Sequence, residues 1–557
     1  MSRVRFSLQQ VQSLYDTREN RSLLENLIRA FRGIQALPPS DPNSFEWLAG
    51  FHGEPFRGFG AVNPNVWGGY CNHNNILFPT WHRVYVLKLE NALRSIPGCK
   101  NVTLPYWDET FYLGTRNGGN PIPSILTTPK FLFDGDSVPV SNPLYSYSLQ
   151  QQIVEWTLGA NSRYSKPEGY TTVRYPLSGL VGTKEDQAAT DLHNSAFEDP
   201  AKNTQILNGN VKNWLEGTVV IPDDDAHSRR PDTYSVYCRF LLCLEAPNYT
   251  VFSNTQSQNQ WIKDHNGGEH YVVSLESPHN AIHLAVGGFY QSGVYNASPI
   301  RGANGDMGAN EMAGFDPIFF LHHCFIDYVF WKWQERRGLT AAGSLNIIPS
   351  YPGTISVEGS AAAYPDRDLE PGTPIDLNTP LYPFKKDNSN WYTSNDTVDI
   401  VNQLGYTYGR GSLDLIPRDR PSRALPNHPY LGEHNAAKIV ITKRVSNINR
   451  AEIEGSFVIR TYVTLHNGKK VEIAREPILS RWQVARCANC RLNLDVEALV
   501  PIDETIIRGI VGPSYRYTPG VAFDDSGVQY EVEIQTAHDD QKKRLTKAPR
   551  VGPLLGL

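Results

Sequence analysis

Six histidines lie in two separated triplets along this chain, and their spacing constrains the fold more than any other feature. Two members of the second triplet are four residues apart on a predicted helix, so both rings project from one face. Three imidazoles can bind one metal ion and leave a coordination position open. The fold must therefore bring distant segments together around two adjacent metal ions. The triplets are His52, His73 and His82, then His279, His283 and His323.

The ligand type narrows the choice of metal. Imidazole suits copper, zinc, iron and nickel. Neither triplet includes a carboxylate, whereas dinuclear hydrolases commonly bridge their ions with Asp or Glu. Six neutral ligands favour a low-charge state such as Cu(I), which can bind and reduce O2. The spacing alone leaves zinc open.

The length of 557 residues exceeds the usual size of one hydrophobic core, so we expect more than one domain. Residues 113–235 are rich in Gly, Pro, Asn and Ser, which predicts long loops around a helical core. Apolar residues at helical spacing predict helices over 7–32, from Pro79 to about Ile96, over 277–286 and over 315–336.

The pattern changes in the last quarter of the chain. A segment rich in Pro, Arg and Asp leads into alternating apolar and polar residues, which predict strands over 437–443 and 456–465. We therefore expect a helical metal-binding domain over 1–415, a linker over 416–431 and a mainly β domain over 432–557.

Five motifs occur in an order that resembles a known family. The motifs are Phe51-His52-Gly53, the stretch from Cys71 to Arg83, Pro105-Tyr106-Trp107-Asp108, His279-Asn280-Ala281-Ile282-His283, and Phe315-Asp316-Pro317 through Cys324. In this order they resemble tyrosinases of the fungal and bacterial type, which are type 3 copper proteins. Chance matches to five ordered motifs are improbable, and the resemblance covers about residues 40–410.

The resemblance implies a mainly α catalytic domain, with a four-helix bundle around a dicopper site and long loops, followed by a mainly β C-terminal domain. It implies that each histidine triplet holds one of two copper ions. Of the adjacent pair His322 and His323, the second is the family's ligand. The implied substrates are small phenols and O2.

Cys71 stands two residues before His73. In fungal tyrosinases and molluscan haemocyanins a cysteine in this position forms a thioether with the histidine, and we expect that bond here. It would fix the His73 ring and so preorganise the site. A buried, inert thiol is the structural alternative.

Hydroxylation of a monophenol needs a nearby base, because the phenol must lose its proton before it coordinates copper. Glu276 precedes His279 by three residues and Asn280 directly follows it. In tyrosinases an Asn and a Glu so placed hold a water that is proposed to take this proton. Either residue alone also suits a helix N-terminus. Together they favour o-hydroxylation of monophenols as well as oxidation of o-diphenols to o-quinones.

Three other activities stay open at this point. The first is a catechol oxidase without hydroxylation. The second is an o-aminophenol oxidase, although such enzymes often lack an Asn at the position of Asn280. The third is an oxygen carrier like a haemocyanin unit, but carriers repeat the unit in very long chains and this sequence has one site and no repeat.

The C-terminal region resembles the shielding domain of a latent pro-enzyme. Tyr406-Thr407-Tyr408 is similar to the tyrosine motif that closes the catalytic domain in fungal and plant enzymes. An apolar side chain of the following domain would plug the copper cleft until an activating protease removes it. Nearby candidates for the plug are Ile478, Leu479 and Trp482.

Cys487 and Cys490 form a CxxC motif in the same region. The motif alone is a weak signal, since redox sites, zinc sites and chance pairs share it. Thiolates favour Cu(I), and in related fungal pro-tyrosinases the motif is thought to help load copper. We expect the same role here.

Charge and hydropathy limit the partners. The formal net charge is −5 and no long basic run occurs, so we expect no nucleic acid partner. The N-terminus lacks the apolar segment of a signal peptide and no apolar run approaches the length of a membrane span, so we expect a cytoplasmic protein that does not enter membranes. Seven sparse cysteines suit a reducing compartment. A homo-oligomer stays open.

Overall fold

The computed structural model describes most of the chain, but the linker predicted over 416–431 and the CxxC cysteines Cys487 and Cys490 lie outside the described residues. The described residues are 2–54, 56, 69–114, 119–154, 165–219, 230–231, 235–289, 305–356, 372–415, 439–484, 494–516, 523–536 and 545–553.

Helices dominate the first two thirds of the described residues. The helices are α1 (Leu8–Asp16), α2 (Ser22–Ala36), α3 (Phe45–Gly50), α4 (Phe78–Ser95), α5 (Lys184–Asn194), α6 (Pro200–Glu216), α7 (Val236–Cys243), α8 (Tyr249–Ser253), α9 (Thr255–Asp264), α10 (Glu276–Gly287), α11 (Ile318–Arg337) and α12 (Glu504–Val511).

Strands are short before residue 410 and longer after it. The strands are β1 (Arg3–Arg5), β2 (Lys130–Phe131), β3 (Val140–Ser141), β4 (Thr218–Val219), β5 (Arg230–Pro231), β6 (Pro380–Lys385), β7 (Trp391–Thr393), β8 (Tyr406–Tyr408), β9 (Ile439–Asn449), β10 (Phe457–Thr464), β11 (Lys470–Ile478), β12 (Asp495–Asp503), β13 (Tyr530–Thr536) and β14 (Arg550–Pro553).

Helices α2, α4, α10 and α11 form the central bundle. Helix α4 packs against α2 and α11, and the ring of His279 on α10 contacts the ring of His323 on α11. Pro79 occupies the first turn of α4, where its missing N–H costs no hydrogen bond, and Gly338 ends α11 in the left-handed conformation. Helix α11 is buried over nearly its whole length, so it forms the centre of the core. The predicted helical bundle is confirmed.

The prediction of long loops over 113–235 is wrong in part, because α5 and α6 lie in this segment. Helix α6 has Asp199 as its N-cap, Pro200 in its first turn and Gly217 at its C-terminus. These are ordinary start and stop signals. The polar composition of the surrounding segment indicates loops, and these local signals outweigh it.

The two ends of the helical region meet in a parallel pair that sequence patterns did not indicate. Strand β1 pairs with β8, and Arg5 of β1 lies 3.6 Å from the ring centre of Tyr406. The buried Arg5 guanidinium donates to Glu90 of α4 at 2.7 Å and to Asp327 of α11 at 3.3 Å. This ion-pair network fastens the segment of the tyrosine motif to two helices of the bundle.

The C-terminal region contains two three-stranded sheets, with strand orders β11-β10-β13 and β12-β9-β14. They enclose a hydrophobic core of their own, as predicted for a mainly β domain. Ile439, Val458 and Leu499 instead join the core of the helical region. The exact domain boundaries stay a prediction. None of the described helices has the length and apolar character needed to cross a membrane.

Candidate copper site

The bundle brings all six predicted histidines together. His52 follows α3, His73 precedes α4, and the other four project from α4, α10 and α11. Ring centres within the first triplet lie 5.3–5.8 Å apart, and those within the second lie 4.5–5.6 Å apart. The rings of His82 and His323 stack at 4.5 Å and join the triplets. The structure therefore contains two adjacent clusters of three imidazoles.

Backbone carbonyls orient three of these rings. Because a carbonyl oxygen can only accept, each Nδ1 must carry the proton, which leaves the Nε2 lone pair available to a metal. The pairs are His52 with Asn310 at 3.2 Å, His82 with Phe78 at 2.8 Å, and His283 with Met307 at 2.9 Å.

The approach of His52 to this position depends on the glycine that follows it. A Cβ atom on Gly53 would overlap the backbone carbonyl of Glu311, and the next residue, Glu54, donates its N–H to that same carbonyl at 3.2 Å. Only glycine fits such a close passage of two backbone segments. The Phe51-His52-Gly53 motif thus positions the first histidine.

The nitrogen atoms fit metal ions. The Nε2 atoms of His52, His73 and His82 are buried and have no hydrogen-bond partner within the part of the chain that the structure describes. In the second cluster, His323 Nε2 lies 3.3 Å from His279 Nε2 and 3.4 Å from His283 Nε2. Two nitrogen ligands that each lie about 2.0–2.1 Å from one tetrahedral ion are separated from each other by about these nitrogen–nitrogen distances. Unsatisfied buried nitrogens would be costly without such a ligand.

Burial keeps the rings neutral, as ligation requires. Desolvation lowers the pKa of all six histidines, and for most of them the neighbouring imidazoles lower it further. The pKa of His82 falls to about 3 and that of His283 to about 4. Protons therefore do not compete with a metal at neutral pH.

Comparisons with known proteins agree with this geometry. The model of the common central domain of tyrosinase matches residues 42–336, which is more than half of the chain. The tyrosinase HcTyr2 of Hahella sp. (strain CCB-MM4) is 46% identical over 516 residues, covering 90% of this chain and 88% of that protein. The chain belongs to the tyrosinase family.

Further relatives extend the agreement to the whole fold. The tyrosinase of Aspergillus oryzae is 41% identical over 506 residues, 87% of each protein. The solved structure of the tyrosinase from Burkholderia thailandensis at low pH has a TM-score of 0.76 at 43% identity, and it covers 96% of this chain and 95% of that one. The match includes the strand-rich C-terminal region. This chain is therefore an enzyme of a copper protein family, and copper-dependent phenol oxidation is the implied activity.

Cys71 lies beside two histidines of the first triplet. The residue is buried, and its sulfur lies within 4.8 Å of ring nitrogens of His52 and His73. The Arg481 guanidinium, from the C-terminal region, lies 3.8 Å from this sulfur and donates to the His52 carbonyl at 3.3 Å. The thioether between Cys71 and His73 stays a prediction.

Glu276 and Asn280 stand beside the second cluster of this tyrosinase site. Glu276 is buried; one carboxylate oxygen accepts from the Asn74 N–H at 2.9 Å, and the other accepts from the Thr255 N–H at 2.9 Å and its hydroxyl at 3.2 Å. Burial raises the pKa of Glu276, and these hydrogen bonds oppose the shift. Asn280 accepts the His279 Nδ1–H at 2.9 Å. Asn280 thus orients a candidate copper ligand.

A cavity of about 320 Å³ adjoins the copper site. His73, Glu276 and Asn280 are among the residues that line it. Ile478, at the end of β11, and Leu479, the residue after it, line the same cavity. Trp482 instead packs against Leu180, and its backbone N–H donates to the Glu311 carboxylate at 2.8 Å. Two of the three plug candidates therefore face the cavity.

Sequence analysis missed a fourth imidazole beside the second cluster. His322 Nδ1 donates to Glu109 Oε1 at 2.5 Å, and both side chains are fully buried. Ring nitrogens of His279, His283, His322 and His323 all lie within 4.8 Å of one another. The adjacent pair His322-His323 was a visible signal, but one residue of the pair was set aside on the family pattern.

Proposed function

We propose that this protein hydroxylates monophenols in the ortho position and oxidises o-diphenols to o-quinones, with one copper ion on each histidine triplet. The observation that carries the proposal is the cavity that Glu276 and Asn280 share with His73. When bound, copper would supply the redox chemistry by which electrons of the phenol reach O2. The protein itself must bind the phenol, orient it and remove its proton.

The carboxylate of Glu276 is suited to hold that proton. Three hydrogen bonds fix its position, and none of the three donors carries a positive charge. Burial in a site of this kind raises the pKa, which makes the carboxylate a better base than one in water. The proton passes from the phenol to Glu276 through a water in the cavity. Asn280 keeps the His279 ring in the tautomer with a free Nε2.

Latency is the second part of the proposal. Strand β11 packs against α10, the helix that carries His279 and His283. Ile478 and Leu479 line the same cavity as the proposed base, so their side chains take up space that a phenol would need. Arg481 fastens the same segment to the His52 carbonyl, and Trp482 fastens it to the Glu311 carboxylate. Proteolysis in the predicted linker would free the cavity.

Paired kinetics test both parts. Initial rates with a monophenol and its o-diphenol are measured on copper-loaded protein, before and after limited proteolysis between residues 416 and 431. Both rates should rise after cleavage. Glu276→Gln should lower the monophenol rate by about 10²–10⁴-fold, the usual contribution of a general base, with a smaller effect on the diphenol rate.

The exposed Glu185, in the first turn of α5, offers a matched control. Glu185→Gln removes a carboxylate from an equivalent helical position without touching the cavity, so both rates should match those of the parent. If the cleaved protein oxidises the diphenol but not the monophenol, the enzyme is a catechol oxidase. Equal losses of both rates in Glu276→Gln would reject the base role.

Copper loading by the CxxC motif can be tested separately. Thiolates bind Cu(I) well, so we propose that Cys487 and Cys490 pass copper to the histidine clusters. Replacing both by Ser should lower the copper content of protein expressed under limiting copper. Equal copper content in the parent and the double variant would reject this role.

A further inference from the structure

His322 is a buried imidazole that the proposed function does not use. Its Nδ1–H donates to the buried carboxylate of Glu109, and its Nε2 has no hydrogen-bond partner in the described segments. A carboxylate behind the Nδ1 of an imidazole is the usual support of a metal ligand, because it fixes the tautomer and raises the basicity of the other nitrogen. An unsatisfied, buried Nε2 is costly unless something binds it.

The ring of His322 points into the second cluster. Its centre lies 5.2 Å from that of His279, with 22° between the ring planes, and 5.1 Å from that of His283. Ring nitrogens of these three residues and His323 lie within 4.8 Å of one another, which is close to the span of one coordination sphere. The Nε2 atoms of His279 and His283 also lie 3.3 Å and 3.4 Å from His323 Nε2.

His323 belongs to the second cluster and also contacts the first triplet. Its ring stacks on His82 of the first triplet at 4.5 Å, and a ring nitrogen also groups with those of His52 and His82. Its Nδ1 is buried without a hydrogen-bond partner among the described residues. His323 is thus the least anchored ring of the second cluster, whereas His279, His283 and His322 each have an oxygen acceptor at Nδ1.

We propose that His322, oriented by Glu109, is a fourth and exchangeable ligand of the copper ion at the second cluster. While copper enters or leaves, His322 holds the ion together with His279 and His283. During this step His323 is not bound to the ion. The proposal rests on the copper sites of the proposed function. It involves no redox step, only the exchange of one neutral imidazole for another. Glu109 is a positioning residue in this scheme.

Copper release measures this role without turnover. Copper-loaded protein is mixed with an excess of a chromophoric Cu(I) chelator under reducing conditions, and the release of each ion is followed. A ligand that holds the ion during exchange lowers the barrier to release, so for His322→Gln one of the two release phases should slow at least about tenfold, and for Glu109→Gln by less, since the amide still accepts a hydrogen bond. Unchanged release in His322→Gln would overturn the proposal.

His193 provides the control. It is a half-buried histidine on α5 with one hydrogen bond, to the Pro176 carbonyl at 2.7 Å. His193→Gln should release copper at the parent rate. If His322 served only to stack on His279, then His322→Phe, which keeps an aromatic ring, would restore parent release; the ligand role predicts slow release for this variant as well.

The unsubstituted protein supplies a second measurement that does not depend on folding of a variant. Crystals grown with less than one copper equivalent per chain should show copper at the second cluster within about 2.1 Å of His322 Nε2. Copper bound there by His279, His283 and His323 alone would overturn the proposal and leave the proposed function intact. Protein that binds no copper would overturn both.

Discussion

The ion pair between Arg239 and Glu476 gives the sharpest test of latency. Arg239 lies on α7, and its guanidinium donates to Glu476 of β11 at 3.1 Å and to Ser277 of α10 at 2.6 Å. A further hydrogen bond reaches the Arg475 carbonyl. Arg239 therefore links β11 to α10, the helix that carries two candidate copper ligands. Glu476→Ala removes the counter-ion from the C-terminal side and leaves the helical region unaltered.

The expected effect follows from burial. The Arg239 side chain is 5% exposed and that of Glu476 is 18% exposed, so removal of one partner leaves an uncompensated charge in the closed protein. This costs about 3 kcal/mol, at the lower end of the range for broken buried pairs. When the strand lifts away, water solvates Arg239 and the cost disappears. The population with an open cavity should therefore rise about a hundredfold.

The assay is the initial rate of catechol oxidation by uncleaved, copper-loaded protein. Glu476→Ala should raise this rate by up to about a hundredfold, limited by the rate of the proteolysed parent, whereas cleaved parent and cleaved variant should be equal. Glu531→Ala breaks the exposed Lys470–Glu531 pair of the same sheet, with side chains 43% and 50% exposed, and should change nothing measurable. An unchanged latent rate in Glu476→Ala would refute the reasoning.

Three further outcomes follow from the site. Burial raises the pKa of Glu276, so this base should become protonated at a higher pH than an ordinary glutamate. As the pH is lowered, the monophenol rate of cleaved enzyme should therefore begin to fall at that higher pH, whereas the diphenol rate should not show this decrease. Asn280→Ala removes the acceptor for His279 Nδ1 and should weaken copper binding about 10–100-fold, as measured by chelator competition. The intact mass of copper-treated protein should be two hydrogens below the sequence mass if Cys71 is bonded to His73, and Cys71→Ala should abolish the difference; an unaltered mass in the parent would reject the thioether.

Local patterns were enough to predict the helices that carry the site. Pro79 and apolar periodicity predicted α4 to within one residue at each end, because capping and side-chain spacing act within a single helix. The strands near 439 and 457 followed from period-two alternation for the same reason. Helices α5 and α6 were missed where polar composition outweighed their caps.

The sequence by itself determined the ligand chemistry: six neutral imidazoles, with an Asn and a Glu beside one of them. It also determined the family, through ordered motifs that each lie within a few residues. The tertiary structure decided which distant groups meet. Arg481 reaches the carbonyl of His52, Glu476 pairs with Arg239, and Glu109 supports His322. Such contacts join residues more than two hundred positions apart, and no local spacing encodes them. They depend on how helices and sheets pack in three dimensions.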